Sequence, residues 1–225
     1  MSNLFLSLLI TFFFSSSVPT QNTTETQTEV VSTNSTFDEL SNEFTTCTKL
    51  DKVLQAETCG AFQEFKGKEA KTKVESLSSK LFALIGKDAV LNSYGREDVL
   101  GTALTYDDTA ESYDISTINK AYWEDLVFLS FTISTSSSPM ENEVATVLVF
   151  TKSGEFKSAF TNHSYSAGSQ VNTTTYIEKV ETTSESIKLM IGEAEEDKNG
   201  EATEKAIGFY SISKDGTLTY EAAQK

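Results

Sequence analysis

Histidine, cysteine and paired carboxylates are the residue types through which this chain could carry out catalysis or bind a metal. It contains one histidine, His163, and two cysteines, Cys47 and Cys59. A Ser-His-Asp or Cys-His arrangement would have to use His163, and one imidazole with two oxidised cysteines cannot supply a histidine-based zinc site. His163 lies inside a sequon beside a predicted turn, so an exposed loop histidine is the simpler interpretation. We therefore predict no catalytic residue, no metal site and no cofactor.

Acidic residues are the remaining candidates for chemistry. The segment 197–201 (Asp-Lys-Asn-Gly-Glu) has part of a calcium-loop pattern, but the position of the terminal carboxylate falls on Ala206, which cannot coordinate a cation. Two carboxylates several ångströms apart would suffice for glycoside hydrolysis, and acids occur at 107–108, 124–125 and 193–197. Nothing selects a pair among 33 acidic residues, so we interpret them as solvated surface charges.

The two cysteines form an even pair, which in an oxidising compartment most often closes into a disulfide. The apolar spacing from Phe37 to Leu54 predicts a helix, however. In one unbroken helix Cys47 and Cys59 would lie about 18 Å apart, whereas the Cα atoms of a disulfide lie about 5.5 Å apart. We favour a broken helix with a Cys47–Cys59 bridge, and the continuous helix without that bridge is the alternative.

The first residues have the pattern of a secretory leader. An uncharged apolar run over 4–14 is followed by three serines, as in a signal peptide with its cleavage site, and it is shorter than the roughly 20 residues of a membrane helix. We assign 1–17 to a signal peptide and the Thr- and Ser-rich segment 18–36 to a disordered tether. We expect a secreted, extracellular protein without a stable membrane anchor. Four sequons predict N-glycosylation at Asn22, Asn34, Asn162 and Asn172.

The formal net charge of −15 limits the classes of partner. A field of this sign repels phosphate backbones and anionic lipids, so we expect no nucleic acid partner. A small ligand or an extracellular protein remains as the partner. The sequence does not define the oligomeric state.

Hydrophobic spacing predicts that residues 37–225 form a single α+β domain, with a helical part over 37–96 and a β part over 97–225. A capping-box pattern at Thr36 begins the first helix. A second helix runs from Val74 to Ile85 and ends at the following glycine. We expect both helices to pack on the β part.

The β part consists of short apolar runs separated by turn signals, including Asn-Gly and Asp-Gly pairs that are typical of hairpins. The predicted strands are 102–106, 126–135, 144–151, 155–161, 174–181, 186–192, 205–213 and 217–220. Residues Ile115 to Trp123 could form a short helix. Apolar residues at 127, 129, 131 and 133 predict one buried face, whereas Val144 to Phe150 is apolar on both faces, as in a strand covered on both sides. The pattern predicts an antiparallel meander of about eight strands, open or curled into a partial barrel.

Three classes of function fit these features. We favour a secreted acidic glycoprotein that acts as a non-enzymatic binding protein, because the catalytic inventory is small and a curved antiparallel sheet readily forms a pocket. One alternative is a structural or interaction protein whose helical face, Phe37 to Leu54, pairs with another chain. The other is a carboxylate-dependent extracellular hydrolase.

We predict that the protein leaves the cell and loses its leader near Ser17, because the apolar run and the serines after it have the form that signal peptidase recognises. N-terminal sequencing of secreted material should begin close to Val18. An intact Met1 on the extracellular product would contradict this.

Overall fold

In a computed structural model of the chain, the structure describes residues 34–60, 64–86, 112–137, 140–167 and 171–224. The predicted signal peptide, nearly all of the tether, Asn22 and the predicted strand 102–106 lie outside these residues. The chain from Ser32 to Lys225 forms one unit by its contacts.

The described residues form three helices and ten strands. The helices are α1 (Ser35–Ser41), α2 (Leu50–Leu54) and α3 (Gly67–Ile85). The strands are β1 (Thr45–Thr46), β2 (Glu64–Lys66), β3 (Ser112–Trp123), β4 (Leu126–Ser137), β5 (Met140–Thr151), β6 (Phe156–Ala167), β7 (Val171–Thr182), β8 (Ser186–Asp197), β9 (Ala202–Ser213) and β10 (Leu218–Ala222).

All ten strands belong to one mixed sheet, whose main part is an antiparallel meander. From β3 to β10 each strand pairs with the next in the chain, while β1 and β2 both pair with the free edge of β3. The sheet is not closed into a ring. The α+β class with a large meander is therefore confirmed.

The predicted helix over 37–54 is broken, as we favoured. Helix α1 ends at Ser41, and the chain then pairs with β3, where the Cys47 amide donates to the Lys120 carbonyl at 2.7 Å. This extended segment brings the Cα atoms of Cys47 and Cys59 to 5.4 Å, with the sulfur atoms at bonding distance. The capping residue differs from the predicted Thr36, because the Asn34 side chain accepts the Thr36 amide at 3.1 Å.

The predicted helix over Ile115 to Trp123 is wrong, because these residues form most of strand β3. The apolar residues Ile115 and Ile118 are three positions apart, which is a helical spacing, and both are buried against the helices. The strand achieves this because its register against β4 shifts between Ser116 and Asn119, and the extra residue puts both side chains on one face.

Helices α1 and α3 cover one face of β3–β6. Alternate residues of β4 from Val127 to Ile133 point into this layer, as predicted. The residues between them, such as Phe128 and Ser130, are also buried, so the one-sided burial expected of β4 is wrong. Strand β5 is covered on both sides, as predicted: Leu148 and Phe150 face the helices, whereas Val147 and Val149 belong to the core on the other face.

The other face of β3–β6 is covered partly by the second half of the same sheet. Strands β6 and β7 pair only between 163–167 and 172–176, and beyond this point they separate. The lower halves of β7–β10 then fold across β3–β6, so that the rings of Phe160 and Tyr210 lie 5.2 Å apart between centroids. The β9–β10 turn reaches β6, where the Ser158 hydroxyl donates to the Gly216 carbonyl at 2.8 Å.

The contact between α1 and α3 is fixed by one partly buried carboxylate, Glu43, which follows α1. Its oxygens accept hydrogen bonds from Lys73 at 2.6 Å, from Ser76 at 3.3 Å and from Lys80. Burial alone would raise the pKa of Glu43, but the hydrogen bonds and charges of the two lysines outweigh it and lower the pKa below its ordinary value of 4.5. The ionised carboxylate therefore stabilises the folded state.

We predict that Glu43→Gln lowers the free energy of unfolding at neutral pH by about 1.5–3 kcal/mol, the usual worth of hydrogen bonds to a charged group. A lowered pKa stabilises the fold above the unfolded-state pKa, near 4.5, and this contribution disappears as the pH falls through the lower folded-state value. Urea unfolding measures the free energy of unfolding, and the difference in this free energy between wild type and variant should decrease below about pH 4.5. The exposed residue Glu39 in α1 supplies the control, and an equal effect of Glu39→Gln would contradict the assignment.

Candidate functional site

Helix α2 lies where β6 and β7 separate, and it is held there by two side-chain amides. The Asn162 amide nitrogen donates to the carbonyls of Val53 at 2.9 Å and Leu54 at 3.1 Å. The last carbonyls of a helix lack the usual intrahelical partners, and this amide supplies a donor to Leu54 and a second donor to Val53, which also accepts the Ala56 amide at 3.4 Å. Asn162 itself is completely buried.

The second amide belongs to Gln55, directly after α2. Its nitrogen donates to the carbonyls of Ile177 at 3.3 Å and Glu178 at 3.4 Å, on the edge of β7 that no longer pairs with β6. The register of β7 shifts at the same place, between Ile177 and Lys179. The helix thus bridges the gap between the two strands.

A polar cleft of about 380 Å³ opens beside α2 over the upper part of β3–β6. One wall is the end of α2 together with β2, and the other is the sheet. The residues that line the cleft are Gln55, Ala56, Glu64, Ser116, Thr132, Ser134, Glu143 and His163.

Strand register explains why these side chains converge. Ser116, Thr132, Ala145 and His163 are successive Cα partners on β3, β4, β5 and β6, so they form one row across a single face. Because paired residues on neighbouring strands point to the same side, their side chains all face the cleft. The small, buried Ala145 between Thr132 and His163 leaves depth in the middle of this row.

The next row toward the edge of the sheet contains Asp114, Ser134, Glu143 and Tyr165, again as successive Cα partners. Both rows carry polar side chains, whereas the residues further down the same face, such as Val147, are apolar and buried. The cleft is therefore the polar end of a face whose remainder belongs to the core.

Glu143 is the central charged group of the cleft. One carboxylate oxygen lies 3.2 Å from His163 Nε2, and the other accepts the Ser134 hydroxyl at 3.0 Å. The hydrogen bond from His163 is the largest influence on Glu143 and, with that from Ser134, it outweighs desolvation and lowers the pKa of the carboxyl group. Glu143 is therefore ionised at neutral pH, and His163 Nε2 acts as the hydrogen-bond donor.

The order of these groups decides what chemistry they can perform. The carboxylate lies between the hydroxyl of Ser134 and the imidazole of His163, so the imidazole has no contact through which to remove the hydroxyl proton. Among the described residues, no three His, Cys, Asp or Glu side chains are grouped to hold a metal ion. What the cleft offers is a fixed negative charge with hydroxyl, imidazole and amide groups around it, which suits hydrogen bonding to a small molecule.

Sequence reasoning placed His163 in an exposed loop, whereas it lies within β6 and lines the cleft. The register of β6 against β5 shifts between the pairs Thr146–Thr161 and Ala145–His163, and Asn162 is the extra residue. Such a shift lets two consecutive side chains point to one side, so Asn162 reaches α2 while His163 reaches Glu143. Simple alternation cannot reveal this. Glu143 and Ser134 were also missed, although they are cross-strand partners in one hairpin.

The acidic segments that sequence analysis considered lie elsewhere. Asp107 and Asp108 are outside the described residues, and Glu124 and Asp125 form the exposed β3–β4 turn. The segment 197–201 is a hairpin turn, as predicted, in which Asp197 accepts the amides of Asn199 at 2.8 Å and Glu201 at 2.9 Å.

The predicted glycosylation sites occupy different environments. Asn34 is exposed and caps α1, and Asn172 is partly exposed in β7. The expectation that the strand ends before Asn162 is wrong, because β6 continues to Ala167. A glycan at Asn162 would be attached to the buried amide nitrogen that holds α2, so the structure argues against glycosylation there.

Comparisons with protein-family models, with characterised proteins and with solved structures find no match for this chain. The geometry of the cleft is therefore the basis for a proposal about function. Within the described ranges, no helix is both long enough and apolar enough to cross a lipid bilayer.

We predict that Asn162→Ala lowers the free energy of unfolding by about 1–3 kcal/mol, because two buried hydrogen bonds to α2 are lost and the Leu54 carbonyl is left without its side-chain donor. Denaturant unfolding of the variant measures the loss. Asn172→Ala replaces the asparagine of another sequon and should change stability by no more than about 0.5 kcal/mol. Equal, small effects of both substitutions would show that the Asn162 amide does not hold α2.

Proposed function

We propose that this protein is a secreted, non-enzymatic binding protein whose cleft beside α2 accepts a small polar ligand. The observation that carries the proposal is the group formed by Ser134, Glu143 and His163 on the wall of that cleft. Each side chain is held by its neighbour before any ligand arrives, which reduces the entropy lost on binding.

The dimensions of the cleft support a small ligand. Its volume of about 380 Å³ lies within the range of ligand pockets, roughly 300–1,000 Å³. Ligand specificity in such pockets comes from a few placed polar groups, and here they come from six separate elements: the end of α2, β2 and strands β3 to β6.

The arrangement of the polar groups supports binding without catalysis. A hydroxyl that donates to a carboxylate has its proton engaged, and His163 is turned to the same carboxylate instead of to Ser134. The alternative function was an interaction with another chain through the helical face from Phe37 to Leu54. Phe37, Leu40 and Leu54 are buried inside the fold, so this face is not available to a partner.

The compartment is proposed on independent grounds. Cys47 and Cys59 lie at disulfide distance, and such bonds persist in oxidising environments such as the extracellular space. Together with the leader pattern, this supports secretion.

Native mass spectrometry of the protein secreted by its own cells tests the function. We predict a bound small molecule that is lost in both Ala56→Trp and Ser116→Trp, because these residues line the cleft from the α2 side and from β3, and a large ring at either position would occupy the ligand's space. Ala56 has a left-handed backbone (φ 55°), which strains a bulky residue, so Ser116→Trp, in an extended strand, shows the effect of filling the cleft without that strain. Ala202→Trp places the same ring at an exposed position in β9 and should leave the ligand bound.

Retention of the ligand by Ala56→Trp would place its site outside the cleft and refute the proposal. A stable dimer without any bound small molecule would favour an interaction function in its place.

A further inference from the structure

We infer that the ligand of the cleft is a small organic cation, whose ammonium or amidinium group binds at Glu143. This inference rests on the proposed binding function and adds the charge of the ligand. It follows from the signs of the charges in the cleft, from the hydrogen-bonding capacity of Glu143 and from the aromatic ring beside it.

The charged residues that line the cleft are both carboxylates, Glu64 and Glu143, and no lysine or arginine is among the lining residues. Asp114 lies on the same face in the row of Glu143. Lys66 lies 3.0 Å from Glu64 and is the Cα partner of Asp114, so it offsets negative charge there and leaves Glu143. The one basic side chain among the lining residues is His163, which is already engaged by Glu143. An anionic ligand would therefore meet carboxylates without a free basic partner, whereas a cation would find its counter-charge in place.

Glu143 can accept further hydrogen bonds. A carboxylate has about four lone-pair sites, and the two contacts from His163 and Ser134 use one on each oxygen. Because these contacts also fix the orientation of the carboxylate, a ligand donor meets an acceptor that is already in position. An ionised acceptor strengthens a hydrogen bond from any donor, and an ammonium adds to it the Coulomb attraction between opposite charges, so an ammonium gains more here than a hydroxyl does.

The hydrogen bond from His163 also keeps Glu143 ionised, since it lowers the pKa of the carboxyl group. The negative charge is thus present at neutral pH and persists into mildly acidic solution.

An aromatic ring stands next to this carboxylate. Tyr165 is the Cα partner of Glu143 on β6, and it is only partly exposed. The faces of aromatic rings attract cations, so Tyr165 favours the same sign of charge as Glu143 does.

Three probes of one shape and different charge test the inference on the secreted wild-type protein at neutral pH. Benzylamine carries a positive charge, benzyl alcohol is neutral and benzoate is negative. We expect benzylamine to bind at least about tenfold more tightly than benzyl alcohol, a difference that corresponds to about 1.4 kcal/mol, and benzoate not to bind. Isothermal titration gives the affinities, and shifts of the His163 ring resonances in NMR spectra show that binding occurs in the cleft.

A pair of variants with the same change of net charge assigns the preference to Glu143. Glu143→Gln should reduce the tenfold preference for benzylamine to near unity. Glu185→Gln removes one charge from the exposed β7–β8 turn and should leave the preference unchanged. Equal effects of both variants would mean that benzylamine responds to the overall field of the protein, which would overturn the inference.

Each other outcome is also decisive. If benzyl alcohol or benzoate binds in the cleft as tightly as benzylamine, the inference about charge fails while the binding function stands. If none of the three binds, the inference fails, and the binding function is judged by the mass of the protein from its own cells. The comparison of the three probes on the wild type does not require the variants to fold.

Discussion

Strands β6 and β7 pair over only half of their length, and the backbone groups that they expose where they separate must be satisfied in another way. A buried amide or carbonyl without a partner costs free energy comparable to a lost hydrogen bond. Part of this need is met by α2: Gln55, at its end, donates to two carbonyls on the free edge of β7, and Asn162 of β6 holds the helix in place through its side-chain amide. Helix α2 thus connects the two strands where their direct pairing ends.

The disulfide helps to hold the same helix in place. A helix of five residues is far too short to be stable alone. The Cys47–Cys59 bridge closes the loop that contains α2, and a closed loop of this size contributes on the order of 3 kcal/mol through the entropy of the unfolded chain. The cleft depends on this arrangement, because α2 supplies one of its walls. Helix α2 therefore both fills the gap between β6 and β7 and lines the proposed ligand site.

The sequence predicted most strands because their signals are local. Turn glycines and alternating apolar residues marked seven of the eight strands of the meander, β4 to β10, and the helix-facing side of β4 and both faces of β5 followed from the same pattern. What local signals could not show are the positions where the register shifts. In β3 such a shift places Ile115 and Ile118 on one face, so the apolar spacing resembles that of a helix. In β6 a shift points the side chain of His163, which was expected in a loop, into the cleft. Both depend on the partner strand.

The burial of Asn162 has a consequence for how the molecule must be made. Oligosaccharide transfer in the secretory pathway acts on extended chain, before the acceptor has been covered, and the Asn-His-Ser sequence is a suitable acceptor at that moment. A sugar on this nitrogen would keep α2 from docking and the β6–β7 gap from being filled. For a secreted chain, as proposed above, the described structure therefore requires that the amide be enclosed before the transferase modifies it.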